Sequence, residues 1–224
     1  MVRSTPRRRS RWIPLLAVAV GLLGASMVLA ALVTAAPPAA SWDDGEERGR
    51  FRAVFDGYGS ITGDDEQIVL EPQAATEPDV THGGLVVTND TYENVELEVE
   101  VQTQRQLREG EPNPWEAGWV LWNYTDNDHF YAVALKPNGW EISKQDPAYP
   151  GKQRFLASGS DPTFPVGTKH TVKVEHRGAT MTVSIDGRVL DTVVDDEKPY
   201  RRGAVGFYTE DALVRFSNLE TTDS

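Results

Sequence analysis
Beyond residue 50 the chain alternates. Apolar and polar positions exchange every second residue in short runs, most clearly in Val95-Glu96-Leu97-Glu98-Val99-Glu100-Val101. Successive side chains of an extended strand point to opposite faces, so this run sets its valines and leucine on one side and its glutamates on the other. The same reading predicts strands over Gly84–Thr88, Gly118–Tyr124, Phe130–Lys136, Trp140–Lys144, His170–His176, Thr180–Asp186, Ala204–Tyr208 and Leu213–Leu219. Pro137-Asn138-Gly139, Asp186-Gly187 and Arg202-Gly203 supply turns between them. No segment in this part carries a helical stripe. Many short strands at such spacing predict an all-β sandwich, jelly roll or barrel.

Two hairpins can be paired residue by residue. A turn at Thr125-Asp126-Asn127-Asp128 sets Tyr124 opposite His129 and Trp122 opposite Tyr131, and the next turn, at Asn138-Gly139, carries the register onward. One face is then expected to hold Trp122, Tyr124, His129, Tyr131, Trp140 and Lys144. The other holds Trp119, Leu121, Phe130, Ala132 and Ala134. Both faces are rich in apolar groups, which marks central strands: one face packs the core and the other is free to floor a groove.

The N-terminal part reads differently. Trp12 to Ala36 is a run of 25 residues without a charge, preceded by Arg3, Arg7, Arg8, Arg9 and Arg11. About 20 apolar residues in a helix span a bilayer, whereas a cleavable signal has a shorter apolar region of about 7–15. An uncleaved anchor and a signal cleaved after Ala35 both fit, and the leading arginines place everything after the segment outside the cytoplasm in either case. The expected organisation is a signal or anchor over 1–36, a flexible Pro/Ala-rich and then charged tether over 37–50, and a β-sandwich over 51–221.

Charge sharpens this division. Of 22 basic residues, five lie in the N-terminal segment, and all 34 acidic residues follow it. The body is therefore strongly acidic, which excludes a general nucleic-acid binder. There is no cysteine, hence no disulfide, thiolate metal site or cysteine nucleophile. Four histidines without cysteine show no zinc spacing.

The strand motifs carry a family resemblance. Tyr92–Val99, Ala117–Trp122, His129–Lys144, His170–Glu175, Val183–Gly187, Gly203–Tyr208 and Val214–Leu219 together resemble the concanavalin A-like lectin/glucanase superfamily. Within it, the chain is similar to secreted jelly-roll proteins related to 3-keto-disaccharide hydrolases and glucuronan lyases. The resemblance implies a concanavalin A-like jelly-roll β-sandwich, here preceded by one hydrophobic helix. It does not decide activity, because the superfamily includes enzymes, glycan-binding modules and adhesion domains.

Seven aromatic residues crowd into Trp115–Trp140. Flat rings suit the C–H faces of sugars, so Trp122, Tyr124, Tyr131 and Trp140 are candidate ligand platforms for a polysaccharide or oligosaccharide; the same rings also suit a core. His129, Tyr131, Lys144 and Gln153 are candidate polar or catalytic groups, and Arg154 offers a charge for a uronate. Glu96, Glu98 and Glu100 resemble the acidic strand of laminarinase-type glycosidases, although that family has aspartate where Glu98 stands, and plain alternation also explains them. The resemblance further implies one structural Ca²⁺, for which Asp56, Asn89, Asp90 and Asn94 are the candidate ligands, with Asp126 and Asp128 a second option. The last strand has Ser217 where relatives tend to have an aspartate after the phenylalanine.

The expected function is an extracytoplasmic jelly roll, held by its N-terminal helix or released, that binds or processes polysaccharide. The open alternatives are a glycoside hydrolase or polysaccharide lyase, and a non-catalytic cell-surface module.

Overall fold
The period-2 runs become two antiparallel sheets laid face to face in a computed structural model that describes residues 40–223. The strands in chain order are β1 (Glu47–Arg48), β2 (Phe51–Phe55), β3 (Ser60–Gly63), β4 (Gln67–Glu71), β5 (Gly83–Thr88), β6 (Val95–Gln106), β7 (Gly118–Asp126) and β8 (His129–Lys136). They continue as β9 (Gly139–Gln145), β10 (Gln153–Gly159), β11 (Lys169–Arg177), β12 (Thr180–Ile185), β13 (Arg188–Val194), β14 (Ala204–Glu210) and β15 (Ala212–Asp223). One sheet has the order β1-β2-β5-β14-β7-β8-β9-β10, the other β13-β12-β11-β6-β15-β4-β3. The only helical element among the described residues is one 3-10 turn at Pro150–Lys152.

The core lies between the sheets because each strand sends alternate apolar residues inward. Val95, Leu97, Val99 and Val101 of β6 and Val172 and Val174 of β11 meet Val120, Trp122, Tyr131, Val133, Leu135, Trp140 and Ile142 of the eight-stranded sheet. Phe207 stacks on Phe216 from the opposite sheet, centroids 4.6 Å apart and rings 8° from parallel. A second, smaller apolar cluster covers the outer face of the eight-stranded sheet: Leu85, Val87, Trp119, Leu121, Tyr124, Ala132, Ala134 and Ala204, with Val54, Phe55, Phe130 and Tyr208 half-buried around it.

The segment expected as a tether is part of the domain from residue 40. Trp42 is buried in the core and its N–H donates to the Ile61 carbonyl at 2.8 Å. Arg48 lies over the Trp42 ring at 5.5 Å and donates to the Ala40 and Ser41 carbonyls, while β1 pairs with β2. A buried tryptophan outweighs the loop-like composition around it. The expected signal or anchor over Trp12–Ala36 falls outside the described residues. Among the described residues no helix is long and apolar enough to cross a membrane.

Candidate functional site
Trp122 stands opposite Tyr131 as expected, whereas His129 pairs with Asp126 instead of Tyr124, and Lys144 stands opposite Tyr131 because the second hairpin turns at Pro137-Asn138 instead of Asn138-Gly139. The face that Trp122, Tyr131 and Lys144 occupy is the inner one. Trp122, Tyr131 and Lys144 are fully buried, and Trp140 is 6 % exposed with its indole N–H donating to the Asp161 carbonyl. None of these four can stack on a sugar. They are core residues and not sugar platforms or catalytic groups: both faces of these strands are apolar, and the seven-stranded sheet packs on the one that carries them.

Tyr124 does not follow Trp122. Asn123 between them has φ of 51°, and the register slips between Trp122 and Asp126. The bulge turns Tyr124 to the outer face, where its ring lies 6.0 Å from Phe130 and its hydroxyl donates to Asn127 Oδ1 at 2.7 Å. His129 is half-buried, bonded through Nδ1 to Asp126 at 2.7 Å, and lies against Tyr200.

Lys144 instead anchors a buried polar network. Its ammonium lies 2.8 Å from Asp195 Oδ2, neither side chain exposed, and donates to the Glu197 and Lys198 carbonyls. The Tyr131 hydroxyl donates to Asp195 at 2.6 Å and accepts from the Tyr200 N–H. Burial alone would raise the Asp195 carboxyl, but the bonds from Lys144, Tyr131 and the Glu197 N–H outweigh it and hold it below the usual range. Burial, reinforced by the Asp195 bond, pushes the Tyr131 phenol far up. This is a structural cluster, closed to ligand.

The outer face carries the open site. A cleft of about 290 Å³ crosses it, lined by Phe55, Leu85, Trp119, Leu121, Phe130 and Tyr208 with Asn127, Gln145, Gly151, Gln153 and Glu210. Register explains the gathering: Tyr208 pairs with Leu85 on one side and with Trp119 on the other, while Gln145 pairs with both Phe130 and Gln153. Trp119 meets Tyr208 edge-on at 5.7 Å and Phe55 meets it at 6.4 Å. Gln153, from the expected polar set, does line this cleft and donates to Ser143 Oγ at 3.1 Å.

Glu210 is the acid of the cleft and was not foreseen. The Tyr208 hydroxyl donates to its Oε1 at 2.7 Å. Burial pushes its carboxyl up against that bond, and the Asp211 and Glu116 carboxylates add to the rise over the opposing charge of Arg108. Behind it, Arg108 pairs with buried Glu116 and with Asp211, the latter at 2.9 Å, and fixes the turn from β14 into β15. Residues two apart in a strand share a face, so Tyr208-Thr209-Glu210 was the available signal.

The remaining acidic candidates lie elsewhere. Glu96 pairs with Lys173 at 2.8 Å and Glu100 with Lys169 at 2.7 Å; hydrogen bonds from these lysines lower both carboxyls, the reverse of what a general acid needs. Asp56, Asn89, Asp90 and Asn94 do not form one ligand set. Asn89 bonds to the Gly49 and Arg50 backbone, whereas Asp56 follows the far end of β2, on the order of 20 Å away along the strand. Asn94 Oδ1 accepts from the Gly178 N–H, and the Asp90 carbonyl accepts from Thr88. Asp126 is taken by His129, and Asp128 by Lys152 at 3.0 Å. Among the described residues no three His, Asp or Glu side chains gather as a metal set.

Two antiparallel sheets packed face to face, with an aromatic cleft on one outer face, define an all-β sandwich of the jelly-roll kind. The chain belongs to the family of 3-keto-alpha-glucoside-1,2-lyase-like domains, whose model matches residues 39–222. Among curated proteins none matches it in sequence. Of the solved structures similar to it, the carbohydrate-binding module CBM66 from Bacillus subtilis superposes with a TM-score of 0.61 at 14% identity, covering 79% of this chain and 98% of that one. The calcium-bound VIP36 exoplasmic/lumenal domain gives 0.53 at 13%, covering 81% and 88%. A GH43 protein from Bacillus licheniformis gives 0.53 at 11%, covering 84% of this chain and 41% of that one.

Proposed function
We propose that the outer-face cleft binds a neutral sugar unit of an oligosaccharide or polysaccharide. The observation that carries this is the composition of its wall: four aromatic rings and three side-chain amides, with no lysine or arginine. Rings supply apolar platforms and amides supply hydroxyl partners, whereas a uronate in this cleft would find no cation to neutralise it. Family membership and the likeness to a carbohydrate-binding module support the reading. So does the long apolar segment after five arginines, which fits display outside the cytoplasm, where polysaccharide is met.

A second reading is favoured by Glu210. Hydrolysis of a glycoside uses two carboxyl groups flanking the bond, and this cleft presents one. Elimination needs only one base where the proton leaving is already acidified by a neighbouring ketone. In that reading Glu210 takes the proton on carbon, the electron pair forms the double bond, and the leaving oxygen departs with the glycosidic pair; Tyr208 sits beside the base as a donor. Calorimetry of the full-length chain against neutral oligosaccharides tests binding, with Phe130→Ala and Phe55→Ala expected to weaken it. Product formation from a 3-keto-glucoside, abolished in Glu210→Gln with binding retained, tests elimination. No affinity for any neutral glycan contradicts the first reading, and turnover unaffected in Glu210→Gln contradicts the second.

A further inference from the structure
A second cleft lies on the same outer face, toward the other ends of the strands. It encloses about 500 Å³ and is lined by Glu47, Arg52, Thr88, Asn89, Thr91, Tyr124, Thr125, Arg202, Gly203 and Ala204. Register puts it there: Arg52 pairs with Val87, and Tyr124 with Ala204, whereas Leu85, Tyr208 and Trp119 of the first cleft lie further along these strands.

Its chemistry is the opposite of the first cleft's. Arg202 is held in place by Thr91 at 2.9 Å through Nε and by Glu93 at 3.3 Å through Nη1. Arg52 is half-buried, and its side chain has no hydrogen bond or ion pair among the described residues. Its cross-strand neighbour Glu47 is exposed at the rim and lies beyond ion-pair distance of it. Several other cations of the domain surface are matched, as Lys169 is by Glu100, Lys173 by Glu96 and Arg188 by Asp161. An unmatched guanidinium in a concave, half-dried site presents a fork of donors that fits a carboxylate.

The two clefts share a wall. Tyr124 lines the second; its ring packs on Phe130 and its hydroxyl donates to Asn127, both of which line the first. We infer that the cleft at Arg52 and Arg202 is an acidic-sugar subsite, which takes the carboxylate of a uronic acid unit on the same glycan whose neutral unit occupies the first cleft. This rests on the neutral-sugar reading and extends it to a mixed neutral and acidic oligosaccharide.

The test is calorimetry of the full-length chain with a neutral oligosaccharide that it binds and with the same oligosaccharide ending in a uronate. The acidic form is expected to bind about tenfold tighter, as one charge-assisted hydrogen-bonded pair provides, and the preference is expected to shrink as salt is raised. Arg52→Gln is expected to abolish the preference at an unchanged melting temperature. If the neutral form binds and the acidic form binds no better, or if the preference survives in Arg52→Gln, the subsite is refuted while the first cleft stands. Competition by acetate at the concentration of the acidic sugar also refutes it, since the site then takes any small anion. Binding of neither form refutes the first-cleft reading itself.

Discussion

Trp122 and Tyr124 lie two residues apart in one strand yet face opposite sides of the sheet, Trp122 sealed in the core and Tyr124 on the outer apolar cluster. The left-handed Asn123 between them produces the reversal. Its side-chain Oδ1 lies 2.7 Å from buried His176 Nδ1, while His176 Nε2 lies 2.9 Å from the Gly178 carbonyl, so both ring nitrogens face acceptors. A neutral ring donates through one nitrogen only: with Nε2–H given to Gly178, Nδ1 is satisfied when the Asn123 amide is turned end for end, which brings its otherwise unpartnered NH₂ to Nδ1.

Asn123→Val is therefore expected to destabilise the domain by about 2–4 kcal/mol, combining a β-branched residue at positive φ with a lost buried bond. Asn123→Gly keeps the backbone conformation and is expected to cost less. Denaturant unfolding of both variants checks the order; equal costs would remove the bulge from the explanation.

Stability is expected to fall as pH drops below about 6.5. Burial lowers the His176 pKa from its ordinary 6.5, over the opposing bond to Gly178. The unfolded chain then binds a proton in that window that the folded chain does not, at up to about 1.4 kcal/mol per pH unit. His176→Gln should flatten this part of the profile. The Asp195 carboxyl has a lowered pKa, so its contribution is held above the ordinary carboxylate value and lost only as pH falls below it, in a separate, more acidic step.

Removing Lys144 should be severe. Lys144→Met leaves the buried Asp195 charge without its ammonium, and breaking such a pair costs about 3–5 kcal/mol. Lys144→Met with Asp195→Leu should recover part of that loss in thermal or denaturant unfolding. A single variant as stable as the parent would contradict the network described.

Strand alternation made the fold legible, and where it failed the reasons are local. The short strands β1 to β4 went unread, as did the edge strands β10 and β13, whose buried and exposed positions do not alternate cleanly and which each pair across a bulge. The second hairpin turns one residue earlier than Asn138-Gly139, which sets Lys144 opposite Tyr131, but the Trp122–Tyr131 pairing was readable from turn residues alone. The choice of face was not. Lys144 looks like a surface residue until Asp195, far along the chain, arrives beside it, and the groove went to Trp119, Phe130 and Tyr208 instead. Gln153, one of the polar candidates, lines the cleft, while Glu210 needed the pairing of Tyr208 with Trp119 and Leu85 to be placed there.

Chelation addresses the four calcium candidates as a set. Because Asp56 and Asn89 sit at opposite ends of β2, they cannot share an ion, and Asp56→Asn is expected to leave calcium-dependent melting unchanged. A calcium-induced stabilisation lost in both Asp56→Asn and Asn89→Ala would overturn this.

Gly83 allows the Tyr208 ring its position. A Cβ there would come within 2.8 Å of the Tyr208 ring and hydroxyl, so Gly83→Ala should displace a half-buried side chain at little cost in stability, under about 1 kcal/mol, while weakening glycan binding. Unaltered affinity would argue that Tyr208 is not part of the site.

The most direct measurement is a backbone amide NMR titration of the folded protein with a neutral oligosaccharide. The account predicts perturbations on the outer face of the eight-stranded sheet, around Phe55, Trp119, Phe130, Gln145, Gln153, Tyr208 and Glu210. Perturbations confined to the seven-stranded sheet around Glu96–Glu100, or none with any neutral glycan, would contradict it.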